Sequence, residues 1–232
     1  MAPRDLAAFA ALLADDTRAD FCLALLDGRA WTAGELARHA GVAPSTASEH
    51  LGKLAAGGLL AEERQGRHRY VRLADHRVAH LVEELAAHAT PPGSAPGPHS
   101  LKAAGTAAAM ARGRTCYDHL AGRLGITITE AMTERGLLSQ DTGFALTGRG
   151  AAWFDELGIP LPRTGRRPLV RGCLDWTERR PHLAGVAGAQ LCRHALEAGW
   201  CVRIGSERAV KVTEAGEQAL ARLLGIEPGT LR

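Results

Sequence analysis

The sequence predicts a mainly α fold with small β-hairpins, one helix-turn-helix module followed by two related units of similar build. Three observations predict it. Two short helical patterns meet at Gly41-Val42, an arginine-rich polar segment centred on Gly66 separates two apolar runs, and one motif of the second half occurs twice.

The elements follow in order. Leu6, Phe9, Ala10 and Leu13, then Phe21, Leu23, Leu25 and Leu26, recur at helical spacing and predict two helices over residues 5–26. Residues 34–40 and 44–56 predict a helix pair, with Pro44 suited to a first helical position because the N–H it lacks has no partner there. Leu59-Leu60 and Tyr70 to Leu73 flank the polar segment Glu62 to Arg69 and read as two strands joined at a hairpin tip. A last helix over about 76–89 carries Val78, Leu81, Val82, Leu85 and Ala89 on one face. This order is that of a winged helix-turn-helix. Thr90 to Pro98, with four prolines and two glycines, denies both helix and sheet pairing and predicts a boundary.

Beyond it, Arg114-Thr115-Cys116-Tyr117-Asp118-His119-Leu120-Ala121-Gly122 recurs as Arg171-Gly172-Cys173-Leu174-Asp175 and, after the insertion Trp176 to Pro181, His182-Leu183-Ala184-Gly185. Gly136 and Gly199 lie equally far beyond the two histidines, Thr147 to Gly150 matches Thr213 to Gly216, and both copies finish in Leu-Gly-Ile. Each copy reads as helix, turn, helix, hairpin and closing helix, so three winged-helix-like units in series are expected. The predicted organisation is a DNA-binding and dimerisation domain over 1–90, a linker over 91–100, and repeats over 101–162 and 163–232.

Composition bounds the function. The 232 residues are 46% hydrophobic but only 4% aromatic, enough for cores built from Leu, Ala and Val. The net charge of +3 does not by itself mark a nucleic-acid binder, and Lys53, Lys102 and Lys211 are the only lysines among 28 basic residues. Five widely spaced cysteines predict free thiols in a reducing cytoplasm. The apolar stretch Leu6 to Ala14, bracketed by Asp5 and Asp15-Asp16 without a basic leader or cleavage site, reads as an amphipathic helix, and no membrane span is expected.

The case for DNA rests on placement. The second helix of a helix-turn-helix offers its early residues to the major groove, here Ser45, Thr46, Ala47, Ser48, Glu49 and His50, with Lys53 following. Hydroxyls serve base edges or phosphates, and methyls meet thymine. Arg64, Arg67, His68, Arg69 and Arg72 gather at the hairpin tip, where phosphate or minor-groove contacts need them. Against this, residues 1–90 hold ten basic and twelve acidic groups, so affinity must come from a focused patch. The alternative is a solvated turn on a protein-interaction module.

Asp16-Thr17-Arg18, then Leu23 to Leu26, then Glu35-Leu36-Ala37-Arg38-His39-Ala40-Gly41-Val42-Ala43-Pro44-Ser45-Thr46-Ala47-Ser48-Glu49-His50-Leu51 through Gly58-Leu59-Leu60 resemble the ArsR-type winged-helix transcriptional regulators over residues 5–90. The resemblance implies a homodimer joined through its first and last helices, repressing from an inverted-repeat operator on double-stranded DNA until an effector releases it. It puts Ser45, Thr46, Ser48 and His50 at the groove and residues 64–69 in the wing. Metal-sensing members carry a Cys-x-Cys before the recognition helix, whereas Trp31 to Ala40 contains no cysteine. Of the family's other metal site, on the last helix, Asp75 and His88 match, but Arg77 and Pro91 stand at the remaining positions. His76 and His80, one turn apart, read as exposed histidines of a dimer helix.

An effector is therefore expected at the repeats. Cys116, Asp118 and His119 in one, and Cys173, Asp175 and His182 in the other, offer a thiol, a carboxylate and an imidazole near the start of a helix, groups able to take a transition metal. Packing offers a plainer account: cysteine as a small apolar residue, aspartate as a helix cap, arginine paired with it. Thiol oxidation is a further reading, and an organic ligand held by Tyr117, Trp176, Arg171 and the neighbouring Arg163, Arg166, Arg167, Arg179 and Arg180 another. An architectural DNA-binding protein without a sensor is the alternative. A Cys116 or Cys173 nucleophile with His119 or His182 as base has no nucleophile elbow, phosphate loop or cofactor fingerprint beside it, so no enzyme is expected.

Overall fold

The computed structural model describes residues 2–65, 68–89, 101–141, 143–162, 167–204 and 208–231. The 91–100 linker, Arg67, Arg163 and Arg166, and the side chains of His68 and His76, lie outside the described residues. The chain divides into two compact units, Met1–Leu85 and Ala86–Arg232.

The first unit begins with helices α1 (Pro3–Leu13) and α2 (Asp16–Ala24), the second capped by Asp15, whose carboxylate accepts from the Arg18 N–H at 3.0 Å. A strand of two residues, β1 (Trp31–Thr32), precedes α3 (Ala33–Ala40). Thr32 and Glu35 form a reciprocal capping box at the start of α3, and Gly41 at φ +67° ends it in the left-handed conformation. Pro44 then opens α4 (Pro44–Ala56) at its first turn. Strands β2 (Leu60–Gln65) and β3 (His68–Leu73) pair antiparallel, β1 joins β3 on the far edge, and α5 (His76–Ala89) follows, with Asp75 accepting from the N–H groups of Arg77 and Val78. This is a winged helix. Phe21, Leu25, Leu36, Leu51, Leu54, Leu59 and Val71 fill its core, each at most 1% exposed. Trp31 and Thr32, just ahead of α3, join the sheet opposite Val71 and Tyr70.

In the second unit, α6 (Leu101–Arg112) leads into hairpin β4 (Arg114–Cys116) and β5 (His119–Ala121), helix α7 (Gly122–Glu134), hairpin β6 (Leu138–Ser139) and β7 (Ala145–Leu146), and α8 (Gly148–Glu156). The order hairpin, helix, hairpin, helix then runs again. It comprises β8 (Arg171–Leu174) and β9 (Pro181–Ala184), α9 (Gly185–Glu197), β10 (Cys201–Arg203) and β11 (Val210–Val212), and α10 (Glu214–Leu224). The Cys-x-Asp segments are thus in hairpins, where the sequence suggested the start of a helix. Tyr117 explains why: its φ of +60° closes a two-residue loop that no helix can contain. The helices begin later, at Gly122 and Gly185. Both sit at positive φ, and an added Cβ would come within 2.8 Å of the carbonyl oxygens of Ala111 and Pro168 respectively.

The halves of this unit share one core. Leu120, Leu124, Ile128 and Met132 pack with Leu183, Ala187, Leu191 and Cys192, and Trp153, Trp200 and Cys201 complete it. Burial pushes the thiols of Cys192 and Cys201 up to about 12, and that of Cys22 in the first unit to about 11, as for cysteines used as apolar filling.

Candidate functional site

On α4, Ala47, Leu51 and Leu54 are buried, and this fixes the helix rotation: Ser45, Thr46, Ser48, Glu49 and Lys53 all face outward. Ser48 donates to the Pro44 carbonyl at 2.9 Å, and Lys53 reaches Glu49 one turn back at 2.7 Å, leaving Ser45 and Thr46 foremost at the helix start. His50 is placed differently. Its side chain is 15% exposed, with Nδ1 3.5 Å from Asp15 and 3.4 Å from Arg18, so it braces α4 against α2. In the wing, Arg64 stands directly opposite Arg69, two like charges side by side, and Arg69 is held by Glu62 across the hairpin. Arg64 is exposed and available to an anion. Of the two positions that the sequence resemblance offered to a metal, Asp75 is engaged as the cap preceding α5 and His88 is exposed; His80 meets Glu84 at 3.0 Å.

In the second unit the two copies of the motif meet. Strand register sets Cys116 opposite His119 and Cys173 opposite His182, so each hairpin presents one thiol and one imidazole on the same face. The insertion Trp176 to Pro181 provides the fold-back that the second pair needs, with the Asp175 N–H donating to the Arg180 carbonyl at 2.9 Å. Strand β5 packs on α9, β9 on α7, and the two strands on each other. Consequently Cys116 Sγ lies 3.9 Å from Cys173 Sγ and His119 Nε2 lies 3.1 Å from His182 Nε2. All four donor atoms fall within 4.8 Å of one another, on residues no more than 3% exposed.

Each imidazole has a carboxylate behind it. His119 Nδ1 is 3.3 Å from Asp118, which Arg167 grips with both guanidinium nitrogens, while Arg167 also lies over the Tyr117 ring at 5.8 Å. His182 Nδ1 is 3.2 Å from Asp175. Asp175 in turn meets the fully buried guanidinium of Arg114 at 3.0 Å, accepts from the Gly122 N–H at the start of α7 at 2.7 Å, and accepts from the Thr177 backbone and hydroxyl. Burial works against ionisation of both aspartates. The contacts of Asp118 with Arg167 and His119, and of Asp175 with His182, Arg114 and Thr177, outweigh it and hold both carboxyls well below the usual carboxylate range.

The arginine–aspartate pairing suggested by the sequence within each motif crosses between them: Arg114 of the first copy serves Asp175 of the second. Arg167, one of the arginines the sequence offered to an organic ligand, instead holds Asp118. The aromatic residues proposed for an organic ligand are taken up by arginines of the chain itself, Trp176 by Arg114 at 5.1 Å and Tyr117 by Arg167, and Arg171 stands exposed at the start of β8.

Two glycines let the hairpins close. A Cβ on Gly125 would lie 2.4 Å from the Leu120 carbonyl oxygen and 3.5 Å from the His182 Cβ; on Gly188 it would lie 2.5 Å from the Leu183 oxygen and 3.2 Å from the His119 Cβ. Gly188→Ala is therefore expected to cost about 1–3 kcal/mol of stability by overpacking, read as a lowered urea midpoint at unchanged m.

A helix-turn-helix domain model matches residues 13–63. The HTH-type transcriptional regulator YdfF of Bacillus subtilis is 40% identical over 226 residues, 96% of this chain and 98% of that protein. The HTH-type transcriptional regulator CmtR of Mycobacterium tuberculosis is 41% identical over 73 residues, 32% of this chain and 61% of its own. The solved structure of the cadmium metal-sensor CmtR from the same organism aligns with 41% of this chain and 99% of that one, at 34% identity and a TM-score of 0.32. Among the described residues no helix is long and apolar enough to cross a membrane. With a relative matching along almost its whole length and a winged helix at its N-terminus, this chain belongs to the HTH-type transcriptional regulators.

Proposed function

We propose that this regulator is a repressor that binds an inverted-repeat operator as a homodimer, and that an effector acting on residues 86–232 releases it. The observation that carries the DNA reading is the rotation of α4. With Ala47, Leu51 and Leu54 locked in the core, the hydroxyls of Ser45 and Thr46 project from the start of the helix, the part that enters a major groove. Arg64 on the wing adds a phosphate contact, which explains how a unit with an excess of acid over base can hold DNA. The dimer is supported by α1, which buries none of its residues within the chain, and by Leu6, Leu23 and Leu85, which stand 43–56% exposed.

Anisotropy titrations on the chain's own promoter fragment test the reading. Arg64→Ala should weaken binding and flatten the log–log salt dependence by about one unit of slope. Thr46→Glu, which sets a carboxylate against the phosphates, should lower affinity by about tenfold or more. An unchanged slope for the first removes the wing from the contact; unchanged affinity for the second removes α4. Sedimentation at micromolar concentration should give twice the chain mass, and a monomer would overturn the dimer.

A further inference from the structure

We propose that Cys116, His119, Cys173 and His182 bind one divalent ion of the zinc class in tetrahedral N2S2 coordination, and that this ion fastens the β4–β5 hairpin to the β8–β9 hairpin. The first support is metric. Metal–sulfur bonds of about 2.3 Å and metal–nitrogen bonds of about 2.0 Å give a tetrahedron with edges of about 3.8 Å between sulfurs and about 3.3 Å between nitrogens. The quartet has 3.9 Å and 3.1 Å at those edges. A disulfide, at about 2.05 Å, is a different arrangement, and neither cysteine is in one.

The second support is the tautomer. Carboxylates only accept, so Asp118 at 3.3 Å from His119 Nδ1 and Asp175 at 3.2 Å from His182 Nδ1 favour the ring proton of each neutral histidine on Nδ1. With both rings neutral in that tautomer, two Nε2 lone pairs face each other at 3.1 Å, away from water. In that state a cation beside both nitrogens turns their repulsion into coordination. Carboxylate, imidazole and ion in line is also the arrangement that orients metal-bound histidines.

The third support is closure. Four protein ligands, none more than 3% exposed, leave no position for water or substrate, which marks a structural ion. Two sulfurs with two imidazoles select zinc-class ions over magnesium or calcium. On binding, each thiol gives its proton to solvent and the ion takes the thiolate, so no oxidant or reductant is needed.

The test uses the full-length chain, purified under reductant, stripped by chelator and titrated with Co(II) alone. One equivalent should saturate, with thiolate-to-cobalt charge transfer in the near ultraviolet and the intense visible bands of a tetrahedral ion; Zn(II) should erase both at one equivalent. Cys116→Ser and Cys173→Ser should each lose charge-transfer intensity, whereas Cys201→Ser, in the core, should retain it. Because a ligand variant can fail to fold, the folded wild type decides. Absence of a saturable one-equivalent signal, or the weak spectrum of six-coordinate cobalt without charge transfer, overturns the proposal. Neither outcome bears on DNA binding through α4.

Discussion

Asp175→Ala is expected to lower the stability of residues 86–232 by about 3–5 kcal/mol, measured by urea unfolding followed through tryptophan fluorescence. Asp175 and Arg114 have fully buried side chains 3.0 Å apart, so removing the carboxylate strands a guanidinium where water cannot reach it. The same substitution takes the acceptor from the Gly122 N–H at the head of α7 and from Thr177. The double variant Arg114→Met, Asp175→Leu separates these effects. It removes both charges while keeping volume, and should recover a large part of the loss. If it is as unstable as the single variant, the ion pair is not what Asp175 supports.

Leu54→Ala is expected to destabilise the winged helix by about 2–5 kcal/mol, the cost of the lost transfer energy plus the cavity left behind. Leu54 is fully buried and, with Leu51 and Ala47, is what fixes the rotation of α4 under the hydroxyl face. Its loss should therefore weaken operator binding without touching a groove-facing atom. The check is operator affinity measured at a temperature where circular dichroism still reports a folded chain. Normal affinity there would show that the helix is held in place by other contacts.

The first unit was legible because its signals are local. The apolar spacing of α4, Pro44 at its head and the Gly41 turn each act within a few residues, and all appear as expected. Strand β1 was not legible, since two residues carry no period and its partners, Val71 and Tyr70, are distant in sequence. In the second unit the same limit misled: three-residue strands carry too little alternation to oppose a helical reading, and the left-handed Tyr117 that closes the hairpin is invisible in its residue type. The donor residues were legible one motif at a time. Their convergence was not, because it depends on β5 and β9 packing together across the repeat. The partner of Arg167 was hidden for the same reason, since the aspartate it holds lies 49 residues away.

Each hairpin brings only one sulfur and one nitrogen, half of what an ion of this class needs. Because a single polypeptide carries both halves, the second capture is intramolecular, at an effective concentration set by the intervening chain rather than by the amount of protein in the cell. A chelate formed there would therefore persist on dilution to levels at which two separate chains, each with one hairpin, would let the ion go.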